Sequence, residues 1–324
     1  MSHHSPGTFP ASAAERDAWI ISRRPERNPL DPFRPYAFLV EDERAASGEV
    51  VPVATVFLTN RECPWRCVMC DLWRNTLKEG VPVGAIPSQI DYALGRLGAA
   101  RQIKLYNSGS FFDPKAIPLE DHAAIAERVA GFERVIVECH PALVGESCIR
   151  FSDRVAGRLE VAMGLETAHP EILRLLNKRM SLDQFESAAN LLQKNGIGLR
   201  VFILVRPPFM QEEEALEWTA RSLEFAFDRG AAVATLISTR GGNGAMEELA
   251  RAGLFAPPKL ATLEAAVASG IAMMRGRVFA DLWDVKRIES CETCAELRIA
   301  RLNTMNLQQF VMPPVQCERC GGLS

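Results

Sequence analysis

The 324-residue sequence predicts an α/β fold: a partial or complete (β/α) barrel followed by a small C-terminal cysteine-rich metal-binding module. Three observations carry this prediction. Short β-branched apolar runs alternate with amphipathic helical stretches from Val51 onward, no glycine-rich dinucleotide fingerprint follows the first strand, and the alternation stops near residue 288, where cysteines take over. Near-continuous apolar strands interleaved with helices suit a parallel sheet, whose strands are buried on both faces.

Residues 1–50, rich in Pro, Arg and Asp (SRRPERNPLDPFRPYAF), have neither helical nor strand period and read as an extended leader against the main domain. Residues 51–288 hold six strand signals: VATVFLTN, QIKLYNSGS, RVIVECHP, LEVAMGLET, LRVFILVRP and AAVATLIST. Helical patterns lie in PSQIDYALGRLGAA, PLEDHAAIAERVAGF, SLDQFESAANLLQKNG, EEEALEWTARSLEFAFDRG and PKLATLEAAVASGIAMM. Residues 289–324 form the appended module. In such barrels the working residues come from the C-terminal ends of the strands and the loops after them. The unusual segments sit there: a cysteine loop, then NSGS, ECHP, GLET, RPPF and STRGGNG.

Thirty-seven Lys and Arg against 40 Asp and Glu give a net charge of −3, which opposes an overall positive field for nucleic acid but leaves room for a local basic groove. No apolar stretch approaches the roughly 20 residues of a membrane helix, and no secretory signal opens the chain, so the expectation is a cytoplasmic protein without a membrane partner. Nine cysteines are too few for a disulfide scaffold. Seven of them fall in two tight clusters, which in a reducing compartment points to metal. Cys139 and Cys148, outside both, read as packed thiols.

The stretch NRECPWRCVMCDLWRN sets Cys63, Cys67 and Cys70 at C-x3-C-x2-C spacing. Three thiolates on one loop can wrap a cubane iron–sulfur cluster and leave its fourth iron without a protein ligand. Zinc would need a fourth ligand, for which Glu62 and Asp71 are the neighbours of suitable type. In the tail, Cys291, Cys294, Cys317 and Cys320 make two C-x2-C knuckles on either side of residues 295–316. Such a set suits structural zinc, with a second iron–sulfur cluster as the competing reading.

C-x3-C-x2-C in the loop after the first barrel strand resembles the signature of radical S-adenosylmethionine (SAM) enzymes. The resemblance implies a [4Fe-4S] cluster on Cys63, Cys67 and Cys70, SAM chelated to the open iron, and a reductant such as flavodoxin or ferredoxin. Electron transfer would then break SAM into methionine and a 5′-deoxyadenosyl radical that abstracts hydrogen from a substrate. It also implies SAM contacts. Met69 stands where an aromatic residue commonly precedes the third cysteine, and Asn107, Ser108, Gly109 and Ser110 occupy the place of a Gly-Gly-Glu-like turn that holds the methionine amino group. Glu166 of GLET falls on the ribose hydroxyls, and Arg200 is taken ahead of Lys178 and Arg179 as partner of the SAM carboxylate.

The order ECPWRCVMCDLW, LYNSGSFFD, VIVECHP, GLET, LVRPPF and closing knuckles, from Val51 to Cys320, resembles the archaeosine-synthase radical SAM subunits, a branch similar to the radical SAM domain of the Elongator catalytic subunit. This implies tRNA as partner and a lyase reaction that cuts the lysine carbon–nitrogen bond of a modified 7-deazaguanine. The alternatives are a small metabolite or natural-product precursor as substrate, or a non-catalytic iron–sulfur and zinc protein. Asp113, Glu138, His140, Arg206, Thr239, Arg240 and Asn243 are expected above the barrel mouth. Glu138 and His140, flanking Cys139, read as a catalytic pair that orients or deprotonates a substrate amine; a hydrogen-bonded structural histidine is the competing reading. Trp65, Trp73, Phe111 and Phe112 would stack a base or shield the cluster.

Overall fold

The computed structural model describes residues 9–288 and 290–319. The leader holds helix α1 (Ala13–Ile21) and strand β1 (Ala37–Arg44). Strands β2 (Val50–Phe57), β3 (Gln102–Tyr106), β4 (Arg134–Glu138), β5 (Arg158–Glu166), β6 (Gly198–Val205), β7 (Val233–Ser238) and β8 (Arg277–Ala280) follow. Between and after them run α2 (Ala85–Leu94), α3 (Asp121–Arg128), α4 (Glu146–Ser152), α5 (Pro170–Leu175), α6 (Leu182–Lys194), α7 (Glu212–Asp228), α8 (Ala245–Arg251), α9 (Leu260–Ala272) and α10 (Ala295–Gln308). The strands form one eight-stranded sheet in chain order, with β1 antiparallel to β2 and every later pair parallel. Since β8 pairs with β7 and not with β1, the sheet curls into a half-barrel with an open side.

The six predicted strands are β2 to β7. The extended leader is a different matter, because it folds. Ser12 caps α1 and exchanges bonds with Glu15 in a capping box. Strand β1 pairs with β2 from Ala37 opposite Phe57 to Arg44 opposite Val50. Its sequence, AFLVEDER, looks unlike a strand because two of its acids, Glu41 and Glu43, meet cationic partners across the lumen. Among the described residues no helix is long and apolar enough to cross a membrane.

Alternation along the strands sorts two faces. Ile103, Leu105, Val135, Val137, Val161 and Val201 point outward into the core beneath the helices. The alternate positions point into the barrel, and near its base they are charged. There Glu43 of β1 receives Arg200 at 2.5 Å and Lys104 at 2.7 Å, while Glu160 receives Arg200 at 2.8 Å and Arg134 at 3.0 Å. Burial opposes ionisation of Glu43, but Arg200 and Lys104 together override it and hold the carboxyl well below the usual range. The network ties β1 to β3, β5 and β6 through the lumen. Above it the rings of Phe57, Tyr106 and Phe202 meet edge to face, with centroids 6.1 and 6.0 Å apart. The chemistry-bearing loops lie beyond that aromatic layer.

Glu43→Ala would leave two buried cations short of a partner, and breaking such a set costs on the order of 3–5 kcal/mol. Denaturant unfolding should show a loss of that size; a change below about 1 kcal/mol would mean that the ionic floor does not hold the sheet together.

Candidate active site

The cysteine loop leaves β2 at a fixed point. Gln89 of α2 accepts from the Thr59 N–H at 2.8 Å and donates to its carbonyl at 2.7 Å. The loop closes on itself where Leu77 N–H donates to Asn60 and Glu62 N–H to Leu77. Glu62 is then gripped by Arg24 at 2.6 Å, by Arg66 at 3.1 Å and by Arg27. Three guanidiniums occupy this carboxylate, so it is no fourth ligand for the thiols. On the far side Asn243 donates to the carbonyls of Val68 at 2.8 Å and Cys70 at 3.0 Å, and Asn177 donates to Arg66 at 2.8 Å. The leader, the β5–α6 connection and the β7–α8 loop thus hold one short stretch of chain in place.

Burial pushes the Cys63, Cys67 and Cys70 thiols up to about 12, so near neutral pH they keep their protons unless a metal displaces them. Beside them Asn107 is fully buried, and neither end of its side-chain amide has a hydrogen-bond partner. An unmatched buried amide costs about 1–3 kcal/mol. A Cβ at Gly109 would stand 3.4 Å from the Cys63 Cβ, so the Asn107–Ser110 turn lies against the thiol loop. These residues fit a thiolate-held cluster with a polar cosubstrate over it.

The turn is shaped from below. Glu138 Oε2 accepts from the N–H groups of Asn107 at 2.8 Å and Ser108 at 3.0 Å, and Tyr36 reaches the Ser108 hydroxyl at 3.0 Å. Ser108 takes a left-handed φ of 54° and Ser110 accepts from His140 N–H at 2.8 Å. Burial raises Glu138 to about 7 against the pull of those backbone donors. His140 is spent structurally. Its Nδ1 accepts from Ala142 N–H at 3.1 Å, which leaves Nε2 to donate to the Lys178 carbonyl at 3.0 Å, and its ring stacks on Trp65 at 3.7 Å. Burial, aided by the Lys178 charge, lowers it to about 3. The expected catalytic pair thus has its polar atoms on backbone partners: Glu138 holds two N–H groups of the turn, and His140 holds the Ala142 N–H and the Lys178 carbonyl.

Glu166 has a left-handed φ of 66° at a bulge in β5, and its carboxylate accepts from Lys178 Nζ at 2.6 Å. Gly164 makes this pair possible, because a Cβ there would lie 2.2 Å from Glu166 Oε1 and 2.5 Å from Lys178 Nζ. Burial disfavours the Lys178 ammonium, Glu166 more than compensates, and the net effect raises Lys178; its charge is felt at Cys67 and Cys63. Arg200, expected at the SAM carboxylate, is instead locked in the ionic floor, because it enters at the start of β6 with Arg206 at the mouth end. Arg179 turns away to Asp17. Of the three cations weighed, Lys178 alone reaches the site, and position along a strand was the signal that separates it from Arg200.

Met69 packs against the apolar patch containing Val68, Ile172 and Leu176. Asp113 caps Lys115, Arg206 pairs with Glu212, Thr239 donates to the Val205 carbonyl and Arg240 pairs with Asp71 and Asp284, so these four are tied into loops. Phe111 and Phe112 are buried with Phe151, away from base stacking. Cys291, Cys294 and Cys317 gather in the tail, whereas Cys320 lies outside the described residues.

A cubane on three protein thiols reserves one iron for a small molecule, and a loop that builds this over a half-barrel belongs to the iron–sulfur enzymes that activate a cosubstrate. The family follows from sequence: residues 57–219 match the Radical SAM superfamily, and the chain belongs to that superfamily. Membership implies a [4Fe-4S] cluster and SAM. The chain is 25% identical over 226 residues to archaeosine synthase subunit beta of Methanosarcina acetivorans, covering 66% of this chain and 65% of the relative. It is 23% identical over 206 residues to an uncharacterized protein of Methanocaldococcus jannaschii, covering 59% and 56%. The matches thus span from about half to two thirds of the length of the curated relatives. Among solved structures it aligns with Methanocaldococcus infernus Elp3 at 15% identity and TM-score 0.48, covering 72% of this chain and 60% of that one. Methylornithine synthase aligns at 13% and 0.49, covering 82% and 73%.

Glu138 sets a pH dependence. Its folded value near 7 exceeds the ordinary glutamate value of about 4.3, so its contribution to stability is complete below the ordinary value and is lost as pH rises through about 7. Glu138→Gln, which keeps an acceptor oxygen, should remove a pH-dependent loss of stability of roughly 3–4 kcal/mol. Identical slopes in variant and wild type would remove the buried carboxyl from the account.

Proposed function

We propose that the chain binds SAM over a [4Fe-4S] cluster held by Cys63, Cys67 and Cys70 and acts as a lyase on a modified 7-deazaguanine in tRNA. A [4Fe-4S] cluster held by these three thiols, reduced by a carrier of the flavodoxin or ferredoxin kind, would supply one electron for cleavage of a SAM carbon–sulfur bond to methionine and a 5′-deoxyadenosyl radical able to take hydrogen from the substrate. The observation that carries the reading is the buried, unpartnered amide of Asn107 set against a loop of three thiols.

The chain's own residues have these roles. Backbone carbonyls of the Asn107–Ser110 turn accept from the methionine amino group, and Glu138 fixes that turn. Lys178 donates to the methionine carboxylate, with Glu166 orienting it and reaching the ribose hydroxyls. The Phe57, Tyr106 and Phe202 layer bars water from below. The tRNA assignment rests on the likeness to archaeosine synthase subunit beta. One observation favours a small metabolite or natural-product precursor instead: a net charge of −3 supplies no overall attraction for a phosphate backbone.

Anaerobic reconstitution with SAM and dithionite should yield 5′-deoxyadenosine, and Cys67→Ala should fall to the cluster-free background. Yield no greater than that background in the wild type defeats the radical chemistry. If 5′-deoxyadenosine forms but tRNA bearing the lysine-substituted deazaguanine neither stimulates it nor loses lysine mass, the substrate assignment fails while the chemistry stands.

The two cations separate in the same assay. Losing a charged hydrogen bond costs about 1.5–3 kcal/mol, or roughly 10- to 100-fold, so Lys178→Met should raise the KM for SAM by that factor. Arg200→Met should lower stability and leave KM in place. The reverse pattern would return the SAM carboxylate to Arg200.

A further inference from the structure

Helix α10 lies where a closed barrel would have its last seam, against both β1 and β8. The free edge of β8 is covered there by two side-chain amides. Asn306 accepts from the Ala280 N–H at 2.8 Å and donates to the Ala280 carbonyl at 2.9 Å. Gln309 does the same for Val278, at 2.8 and 2.9 Å. Each amide reproduces the donor–acceptor pair that a neighbouring strand would offer, which protects an edge otherwise open to wrong pairing. On the other flank Arg277 of β8 donates to the Arg44 carbonyl of β1 at 2.7 Å, and Arg44 reaches the Leu307 carbonyl of α10 at 3.4 Å.

The tail thiols stand at the start of this helix. Cys294 is its N-terminal cap, and the N–H groups of Cys294 and Ala295 fold back on the Cys291 carbonyl at 3.1 and 2.9 Å. The sulfurs of Cys291, Cys294 and Cys317 all lie within 4.8 Å of one another, with Cys291 and Cys317 at 3.9 Å. Around a tetrahedral ion with metal–sulfur bonds of about 2.3 Å, ligand sulfurs stand about 3.8 Å apart. A cubane binds each thiolate through its own iron at a separate corner, so its sulfurs must spread further. Among the described residues this trio is the one group of potential ligands drawn so close.

We infer that Cys291, Cys294 and Cys317 bind one zinc ion, and that this ion anchors α10 across the open edge of the barrel. Thiolate sulfurs at this spacing suit zinc, which takes cysteine ligands in tetrahedral geometry. Three thiolates outweigh the charge of one zinc ion, and Arg298 is placed to offset the excess, with Nε 3.3 Å from the Cys294 sulfur. Arg298 and Arg301 both meet Glu264 of α9, so the site is tied to the helix layer as well. After α10 the chain has little core of its own, with Phe310 and Val311 51% and 44% exposed, and a bound metal is what makes so small a module fold. The inference is independent of the substrate proposed above.

Metal analysis of the full chain, purified without oxygen, should find about one zinc beside about four irons. The Cys291→Ser/Cys317→Ser variant should lose the zinc and keep the iron. If that variant does not fold, wild type produced with cobalt should show the absorption bands of a tetrahedral cobalt–thiolate centre. Iron lost with the tail thiols, about eight irons in the wild type, or a zinc-free wild type without those cobalt bands overturns the single-ion site. For the anchor, a zinc-selective chelator should speed hydrogen exchange at the Val278 and Ala280 amides by at least about tenfold and leave Ile136 in β4 unchanged. Unchanged exchange at β8 overturns the anchoring role.

Discussion

A thiol must give up its proton before it can hold a metal. Cys63, Cys67 and Cys70 are half-buried on one loop, where desolvation raises each to about 12, so a bound cationic cluster is what would favour their thiolate form. Much of the surrounding architecture serves to keep the loop that carries them in one shape. Glu62 gathers three arginines, two of them from the leader, and the loop's carbonyls are held by Asn177 and Asn243 from separate parts of the chain. The leader is therefore part of the scaffold that fixes the thiol loop.

The barrel lumen is layered in a way that follows from the same constraint. Charged residues at its base pair with one another and with β1, aromatic rings close the middle, and the mouth is left for groups whose partners are incomplete. Asn107 is the plainest case, with an amide that is buried and unmatched. Glu138 and Gly164 belong to the layer just below it. One shapes the turn that carries Asn107, and the other gives up a side chain so that Glu166 and Lys178 can meet. Such local departures, with left-handed backbone at Ser108 and Glu166, cluster where the cosubstrate would lie.

The sequence carried the parallel core and the thiol loop plainly, since β-branched runs and C-x3-C-x2-C spacing are both local signals. It carried much less of what depends on register. Arg200 looked suitable by charge, but a strand rising about 3.3 Å per residue puts its first residues far from the mouth, and Lys178 reaches the site from the β5–α6 connection instead. His140 looked like a base until both ring nitrogens were traced to backbone partners. Strand β1 was hidden by its charges, which find their partners only in the folded lumen, while α1 did have a legible start in the Ser12 and Glu15 capping pair. The role of α10 was invisible, because an amide that imitates a strand leaves no periodic trace.

The central claim is that the loop thiols hold a cluster with one corner left for SAM. Low-temperature electron paramagnetic resonance of the reduced, oxygen-free protein, recorded with and without SAM, tests it most directly. The account predicts a [4Fe-4S]⁺ signal whose shape changes when SAM is added, and a change that needs more SAM in the Lys178→Met variant. A signal that is the same with and without saturating SAM would contradict it.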